Sequence, residues 1–283
     1  MTTTFAPPTP SPVQPVSFGR ILGSEWIKLR SVRATIWTLT ITVIVMMGIA
    51  ALSGWSTVLM TDSETFGGPM LTDLHPATLA TAGGYFAQLV VIVLGVLTIT
   101  GEYGTGMIRS TFAAVPARTP ALLGKALVLF ATVFVTSVVA VALSWLASLP
   151  FLGQLGLSVD LADSETWRIL GGTPLYLATM SVLAFAVGAL VRHSAGAIAI
   201  VVGLVLVIET VLSQIPLRVF ELVSPFLPAT AGGQLLLDEA TLAFMAELNN
   251  GPELTPWQGY GVLMAWVVVL LGSAILVTRR RDA

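Results

Sequence analysis

Six long apolar stretches divide this chain, and each is long enough to cross a membrane as a helix. A bilayer core of about 30 Å is spanned by roughly 20 residues, because a helix rises about 1.5 Å per residue. Backbone polar groups in lipid need internal partners, so these segments are predicted to be helices. The pattern predicts an all-α polytopic membrane protein with six transmembrane helices. The predicted spans cover about residues 35–57, 83–101, 122–148, 174–191, 195–214 and 257–278.

The charged residues alternate in sign between the gaps that separate these spans. One set of gaps holds 11 of the 13 Lys and Arg residues and few acids. The other set holds most of the Asp and Glu residues, so the net charge of −2 is the sum of two opposite layers. The positive-inside rule then places both termini in the cytoplasm. The basic residues are Arg20, Lys28, Arg30, Arg33, Arg109, Arg118, Lys125, Arg192, Arg279, Arg280 and Arg281.

The part of the chain before the first span has two predicted sections. Residues 1–16 are rich in Pro, Thr and Ser and have no apolar core, so they are predicted to be a disordered cytoplasmic tail rather than a cleavable signal peptide. Residues 17–33 alternate apolar and basic positions at helical spacing. This pattern predicts an amphipathic helix in the plane of the inner leaflet, and the alternative is a positively charged juxtamembrane stop. Its polar and interfacial positions include Glu25, Trp26, Lys28 and Arg30.

The cytoplasmic loop after the second span, residues 101–125, contains a predicted short helix. Glycines break the span, a helical segment runs from about Thr105 to Ala114, and Pro116 stops it. Its apolar residues Met107, Ile108 and Phe112 are expected on one side. Such a helix is suited to docking in a partner's groove, and the alternative is a turn that touches only lipid headgroups.

Small residues recur at four-residue spacing around the short hairpin between the fourth and fifth spans. Ala184 and Gly188 precede the hairpin, and Ala195, Ala199 and Gly203 follow it. Stripes of this kind let helices approach closely in lipid.

The outer part of the chain before the last span is predicted to be unusual. Residues 215–256 contain apolar runs broken by Pro and Gly, each too short to cross, which indicates re-entrant or interfacial helices. Glu209 is the only acidic residue that lies well inside a predicted span. A carboxylate at that depth is either a functional group or a group that reaches the outer interface or hydrogen-bonds a neighbouring span.

Motifs for independent catalysis are missing from this sequence. It has no cysteine, no phosphate-binding GxxxxGK[ST], no HExxH and no GxSxG. Asp73 and His75 are two residues apart, but a metal site needs three or four ligands, so both are interpreted as solvated loop residues. No catalytic, cofactor-binding or metal-binding residue is therefore assigned, and no nucleic-acid partner is expected.

Two sequence segments, together with the topology, resemble the permease subunit of bacterial ABC-2 type transporters. The first is SEWIKLRSVRATIW, Ser24–Trp37, directly before the first span. The second is Glu102 with GTGMIRSTFAAVPARTPALLGK, Gly104–Lys125. The six spans, the inner termini and the long outer segment before the last span complete the likeness, which covers the chain from about residue 18.

The resemblance implies a permease of an ATP-driven exporter in the bacterial plasma membrane, with a drug, lipid, peptide or similar substrate. ATP and Mg²⁺ would bind to a separate ATP-binding subunit, so this chain would not be an enzyme. Two permeases, identical or different, would form the pathway among membrane lipids, with the in-plane helix as a connecting helix. The outer re-entrant helices would close the exit. The residues that would couple to the ATPase are Glu102, Thr105, Met107, Ile108, Arg109, Phe112 and Arg118.

Two other functions remain open at this point. An ion-coupled secondary carrier would use intramembrane ionisable groups, of which this chain offers Glu209. A non-transporting membrane partner, such as an immunity or sensor subunit, could bind an ATPase without moving a substrate. The substrate, the choice between homodimer and heterodimer, and any contact of Glu209 with substrate do not follow from the sequence.

Overall fold

A computed structural model describes residues 17–62, 75–115, 117–215, 217–248 and 251–280. Within these ranges the chain is helical and contains no β-strand. The predicted tail at residues 1–16 and Asp73 lie outside the described residues. The helices are α1 Phe18–Ser31, α2 Arg33–Asp62, α3 Pro76–Thr81, α4 Gly84–Thr105, α5 Met107–Ala114, α6 Thr119–Gln154, α7 Ser164–Val191, α8 Ser194–Val202, α9 Glu209–Gln214, α10 Arg218–Val223, α11 Pro228–Gly233, α12 Glu239–Leu248 and α13 Pro256–Arg280.

Six helical segments in the described ranges are long and apolar enough to cross a membrane, as the sequence predicts. Each is longer than its predicted span, because helices continue beyond the apolar core into polar residues. The third, α6, continues through Pro150 near its C-terminal end. The six segments are Arg33–Thr61, Pro76–Thr105, Thr119–Gln154, Ser164–Val191, Ser194–Gln214 and Pro256–Arg280.

The first helix, α1, is separate from the first span. Val32 is extended and breaks the helix between α1 and α2. Ile21, Glu25 and Leu29 recur every four residues and are buried, so one face of α1 packs on the bundle, chiefly on α6. A Cβ at Gly124 would lie 2.8 Å from Ile21, so glycine permits this close approach. The helix is where the sequence predicts it, and its orientation in the membrane plane stays a prediction.

Helices α4 and α7 form the centre of the bundle. They approach so closely that a Cβ at Gly95 would lie 2.1 Å from the Ser181 carbonyl oxygen. A Cβ at Gly188 would likewise lie 2.8 Å from Ile99. The first half of the predicted small-residue stripe therefore packs against α4, whereas Ala195 in α8 is exposed.

The described residues of the segment before the last span form short helices, none of which is long enough to cross. Helix α11 packs against α13, where a Cβ at Gly259 would lie 2.2 Å from the Ala231 carbonyl oxygen. The indole of Trp266 donates to the Phe226 carbonyl oxygen at 2.9 Å. The short helices thus lie against the bundle, and their re-entrant placement stays a prediction.

Candidate functional site

Four charged side chains meet at the basic end of the bundle. Lys125, at the start of α6, donates to Glu102 Oε1 at 2.6 Å and also to Glu25 Oε2. Glu102 lies near the end of α4, and Glu25 lies on the buried face of α1. The side chains of these three residues are 3–5% exposed. We call Glu25, Lys28, Glu102 and Lys125 the charged cluster.

Lys28 completes the charged cluster and extends it to α5. Its Nζ donates to Glu25 Oε1 at 2.7 Å, to Glu102 Oε1 at 3.3 Å and to the Thr111 hydroxyl at 3.1 Å. The Lys28 side chain is 30% exposed, and burial alone would lower its pKa, but the hydrogen bonds and charges of Glu25 and Glu102 raise the pKa above its usual value. Two carboxylates and two ammonium groups therefore join α1, α4, α5 and α6 with balanced charge.

Local sequence explains how these side chains come together. Glu25 and Lys28 are three residues apart and share a face of α1. Gly106 has a φ of 73°, a left-handed conformation that ends α4 and lets the chain turn directly into α5. Glu102 and Thr111 consequently lie on opposite sides of that turn and both reach Lys28.

The sequence analysis assigned Glu25 and Lys28 to the in-plane helix and Glu102 to coupling with an ATPase; it did not predict that the three meet, and it missed Lys125 as a site residue. A signal was present, because Glu25 and Glu102 are two of the very few acids in the basic gaps. Acids that lie buried at that end of the bundle need cationic partners there. Lys125, at the start of an apolar helix, is such a partner.

The short helix α5 forms where the sequence predicts it, but its apolar residues do not share one exposed face. Ile108 and Phe112 are 4% and 8% exposed and pack into the core, whereas Met107 is 41% exposed. The expectation that all three face a partner is therefore wrong for Ile108 and Phe112. Their spacing of four residues is that of a helix face packed on its own bundle.

The exposed face of α5 is instead formed by other residues. Arg109, Ser110, Ala113 and Ala114 are exposed. Thr105, which ends α4, is also exposed and donates its hydroxyl to the Gly101 carbonyl oxygen at 2.9 Å. Arg109 and Thr105 are thus accessible, and a docking role for them stays a prediction.

Arg118 connects α5 to the last span. Its guanidinium lies 5.5 Å from the centre of the Phe112 ring and donates to the Thr278 carbonyl oxygen of α13 at 2.7 Å. On the other side, Arg192 at the α7–α8 hairpin lies 5.1 Å from the centre of the Tyr103 ring in α4. Arg118 thus links α5 to α13, and Arg192 links the α7–α8 hairpin to α4. Trp26 and Arg30 are exposed on α1 and take no part in the charged cluster.

Glu209 lies at the other end of the bundle, and its carboxylate accepts hydrogen bonds from the backbone of another helix. Its carboxylate accepts the N–H groups of Ala229 and Thr230 at 3.1 and 2.6 Å, and the Thr230 hydroxyl at 2.8 Å. These N–H groups belong to the first turn of α11, where no intrahelical acceptor exists. Of the two interpretations of Glu209, the hydrogen-bonding one fits the structure better, but the partner is the short helix α11 and not a neighbouring span. The carboxylate holds α11 against the fifth span.

Replacing Glu209 with alanine is expected to release α11 from the fifth span. The amides of Ala229 and Thr230, which are partly buried, would lose their acceptor, which costs about 1 kcal/mol for each donor. Hydrogen exchange of these two amides should become roughly fivefold faster at that cost. Ser213→Ala, on an exposed position of α9, is the control and should leave exchange unchanged. Unchanged exchange in Glu209→Ala would show that packing alone holds α11.

A second polar cluster, at the acidic end, contains His75, Asp163 and Glu165. His75 Nδ1 accepts the Ala77 N–H at 3.3 Å, so the proton belongs on Nε2, which donates to Asp163 Oδ2 at 3.2 Å. Asp163 is the N-cap residue of α7. The pKa of Asp163 lies below its usual value, chiefly because its carboxylate accepts a hydrogen bond from the Glu165 N–H. Glu165 pairs with Arg168 at 3.0 Å. The lone pair of His75 Nδ1 already accepts the Ala77 N–H, so it is not free to bind a metal ion. This arrangement therefore fits a set of helix caps better than a metal site.

No protein-family pattern matches this chain, and no curated protein is significantly similar to it.

Proposed function

We propose that this chain is the permease subunit of an ATP-driven ABC-2 type exporter in the bacterial plasma membrane, working with a separate ATP-binding subunit. The observation that carries the proposal is the position of α5. One face of α5 is tied to α1, α4 and α6 through Ile108, Phe112 and the charged cluster, and the other face is exposed. A short helix of this kind can receive a displacement from a bound partner and pass it to the spans.

The charged cluster supplies the mechanical connection in this proposal. When ATP binding moves the partner, α5 moves with it. Thr111 is bonded to Lys28, and Lys28 is bonded to carboxylates of α1 and α4. Because the two carboxylates and Lys125 are buried and all of these groups are mutually paired, separating them is costly, so α1, α4, α5 and α6 would shift as a unit. Arg118 would carry the same displacement to α13.

The substrate pathway would form between two permeases, either two copies of this chain or this chain and a second one. The last span and the short outer helices α10–α12 would close the outer side of the pathway. An ion-coupled carrier is less well supported, because the oxygens of Glu209 already accept three donors from α11.

The docking of α5 is tested by co-purification of an ATP-binding subunit expressed with this chain. Arg109→Glu with Ala113→Asp alters two exposed positions on one side of α5 and leaves its buried face intact. Co-purification should fall at least tenfold, since contacts at the centre of an interface are worth about 2 kcal/mol or more. Ser31→Glu, at an exposed position of α1, is the control and should retain the subunit.

Three outcomes of that experiment separate the possibilities. Loss of the ATP-binding subunit only in the α5 variant supports docking at this helix. Equal recovery of the ATP-binding subunit with the wild type and with the α5 variant would show that the docking site lies elsewhere. If wild-type chain in mild detergent brings down no ATP-binding subunit, the permease proposal fails.

A further inference from the structure

A cavity of about 180 Å³ lies at the acidic end of the bundle. Helix α3 and the start of α4 form one wall, to which they contribute Thr78, Thr81 and Tyr85. The other wall is the connection from α11 into α12, which contributes Asp238 and Thr241. The cavity therefore lies between the second span and the short helices that precede the last span.

Asp238 is a buried acid in the wall of this cavity that lacks a partner. It is 6% exposed, and no described residue donates a hydrogen bond to its carboxylate or pairs with its charge. Its oxygens are nevertheless not sealed inside the protein. The surface that they keep therefore opens on the cavity that the residue lines. A buried charge without a partner is costly, so a cation in the cavity would stabilise the protein.

The donor groups near this wall are already committed to other partners. The guanidinium of Arg168 pairs with Glu165 at 3.0 Å, and its Nη1 also donates to three backbone carbonyl oxygens, including that of Leu237 at 2.8 Å. The imidazole of His75 donates to Asp163. The described residues at this end therefore leave the acid in the cavity wall without a counter-charge.

The backbone on both sides of Asp238 is held in place by one ion pair. Arg168 binds the carbonyl oxygen of the preceding residue, Leu237, at 2.8 Å. Glu165 accepts the N–H of the following residue, Glu239, at 2.5 Å. The carboxylate is thus positioned at the cavity before anything binds, and a preformed site loses less entropy when a ligand enters.

The hydroxyl groups of the opposite wall are available as acceptors. The Thr78 hydroxyl donates its proton to the His75 carbonyl oxygen at 2.7 Å, and the Thr81 hydroxyl donates to the Ala77 carbonyl oxygen at 2.9 Å. Both hydroxyl oxygens keep lone pairs for other partners. Carboxylate and neutral oxygen atoms are the ligands that hard cations prefer, and a single carboxylate balances one positive charge.

We propose that this cavity binds an alkali-metal cation, Na⁺ or K⁺, with Asp238 as the charged ligand and the hydroxyl oxygens of Thr78 and Thr81 as neutral ligands. The bound cation joins the second span to the short helices before the last span. The cavity carries this proposal by itself, so it holds whether or not an ATP-binding subunit docks on α5.

The cation site is tested by the thermal unfolding midpoint of the detergent-solubilised full-length chain. The midpoint is measured in NaCl, in KCl and in N-methyl-D-glucamine chloride at equal ionic strength, so that general screening by salt is the same in all three. The midpoint in NaCl or KCl should lie about 2–4 °C above that in N-methyl-D-glucamine chloride, because a ligand that binds the folded state alone stabilises it. The larger of the two shifts identifies the cation.

Three variants show whether the cation occupies this cavity. Asp238→Asn keeps the shape of the side chain but removes its charge, and the midpoint should no longer depend on the cation. Glu239→Gln changes the exposed neighbouring acid in the same way, and this matched control should keep the full shift. Thr81→Val removes one ligand oxygen at nearly constant shape, and several-fold more salt should be needed for half of the shift. This variant tests the site even if Asp238→Asn does not fold.

Other results would overturn the proposal. Equal midpoints of the wild type in the three salts mean that water alone solvates Asp238. A shift of the same size in Asp238→Asn places the cation elsewhere. A shift produced by CaCl₂ or MgCl₂, with none in NaCl or KCl, would assign the cavity to a divalent cation instead.

Discussion

Replacing Lys125 with methionine is expected to lower the free energy of unfolding by about 3–5 kcal/mol, the cost of leaving a buried charge without its partner. The Lys125 side chain is 4% exposed and serves both Glu25 and Glu102. Methionine keeps the apolar stem but leaves two buried carboxylates to share Lys28. The measurement is the thermal unfolding midpoint of the detergent-solubilised chain.

Two further variants separate charge balance from packing in this experiment. Lys28→Met removes the same chemistry from a side chain that is 30% exposed, so its effect should be clearly smaller. Lys125→Met combined with Glu102→Gln restores one carboxylate for one ammonium and should recover part of the loss. If the double variant is less stable than Lys125→Met, the charge-balance account of the cluster is wrong.

Replacing Gly95 with alanine is expected to be the other strongly destabilising change, at about 1–3 kcal/mol for overpacking a close helix crossing. The new Cβ would lie 2.1 Å from a backbone carbonyl oxygen of Ser181, which cannot rotate away as a side chain can. Helices α4 and α7 must therefore separate, and they form the centre of the bundle. The unfolding midpoint should fall, and so should the yield of monodisperse protein.

Gly101→Ala is the matched control for this change. It lies on the same helix, and a Cβ there would meet nothing within 4 Å. Alanine favours helix over glycine by up to about 1 kcal/mol, so this variant should be neutral or slightly more stable. Equal behaviour of Gly95→Ala and Gly101→Ala would show that α4 and α7 can separate at little cost.

The spans could be predicted from the sequence because lipid imposes one simple requirement, a continuous apolar helix. Their ends could not, since α6 and α7 continue into residues that hydropathy alone places in loops. Helix α5 was predicted from the glycines that precede it in the sequence and from the prolines that follow it. Its orientation was not, because Ile108 and Phe112 are equally consistent with a partner's groove and with the chain's own core.

The candidate site was predictable only in part, for a related reason. Glu25 and Lys28 are neighbours on one helix, so their pairing follows from spacing. Lys125 is 100 residues from Glu25, and a pairing at that distance depends on how whole helices pack. The partner of Glu209 could not be foreseen either, since its contact at Thr230 crosses an irregular segment that hydrophobic periodicity does not describe.

The fifth span contains a stretch of π-helix at Gly203–Ile208, directly before Glu209. A π-turn bonds each residue to the fifth along the chain instead of the fourth, so it accommodates one more residue than an α-turn over the same length. Loss of one residue within this stretch would convert it to α-helix and leave both flanks in register. Loss of a residue between the stretch and Thr230 would shorten the connection that brings α11 back to Glu209. Deletion of a single residue from the fifth span is therefore expected to be tolerated at Gly203–Ile208 and to strain the contact of Glu209 with α11 when it falls beyond that stretch.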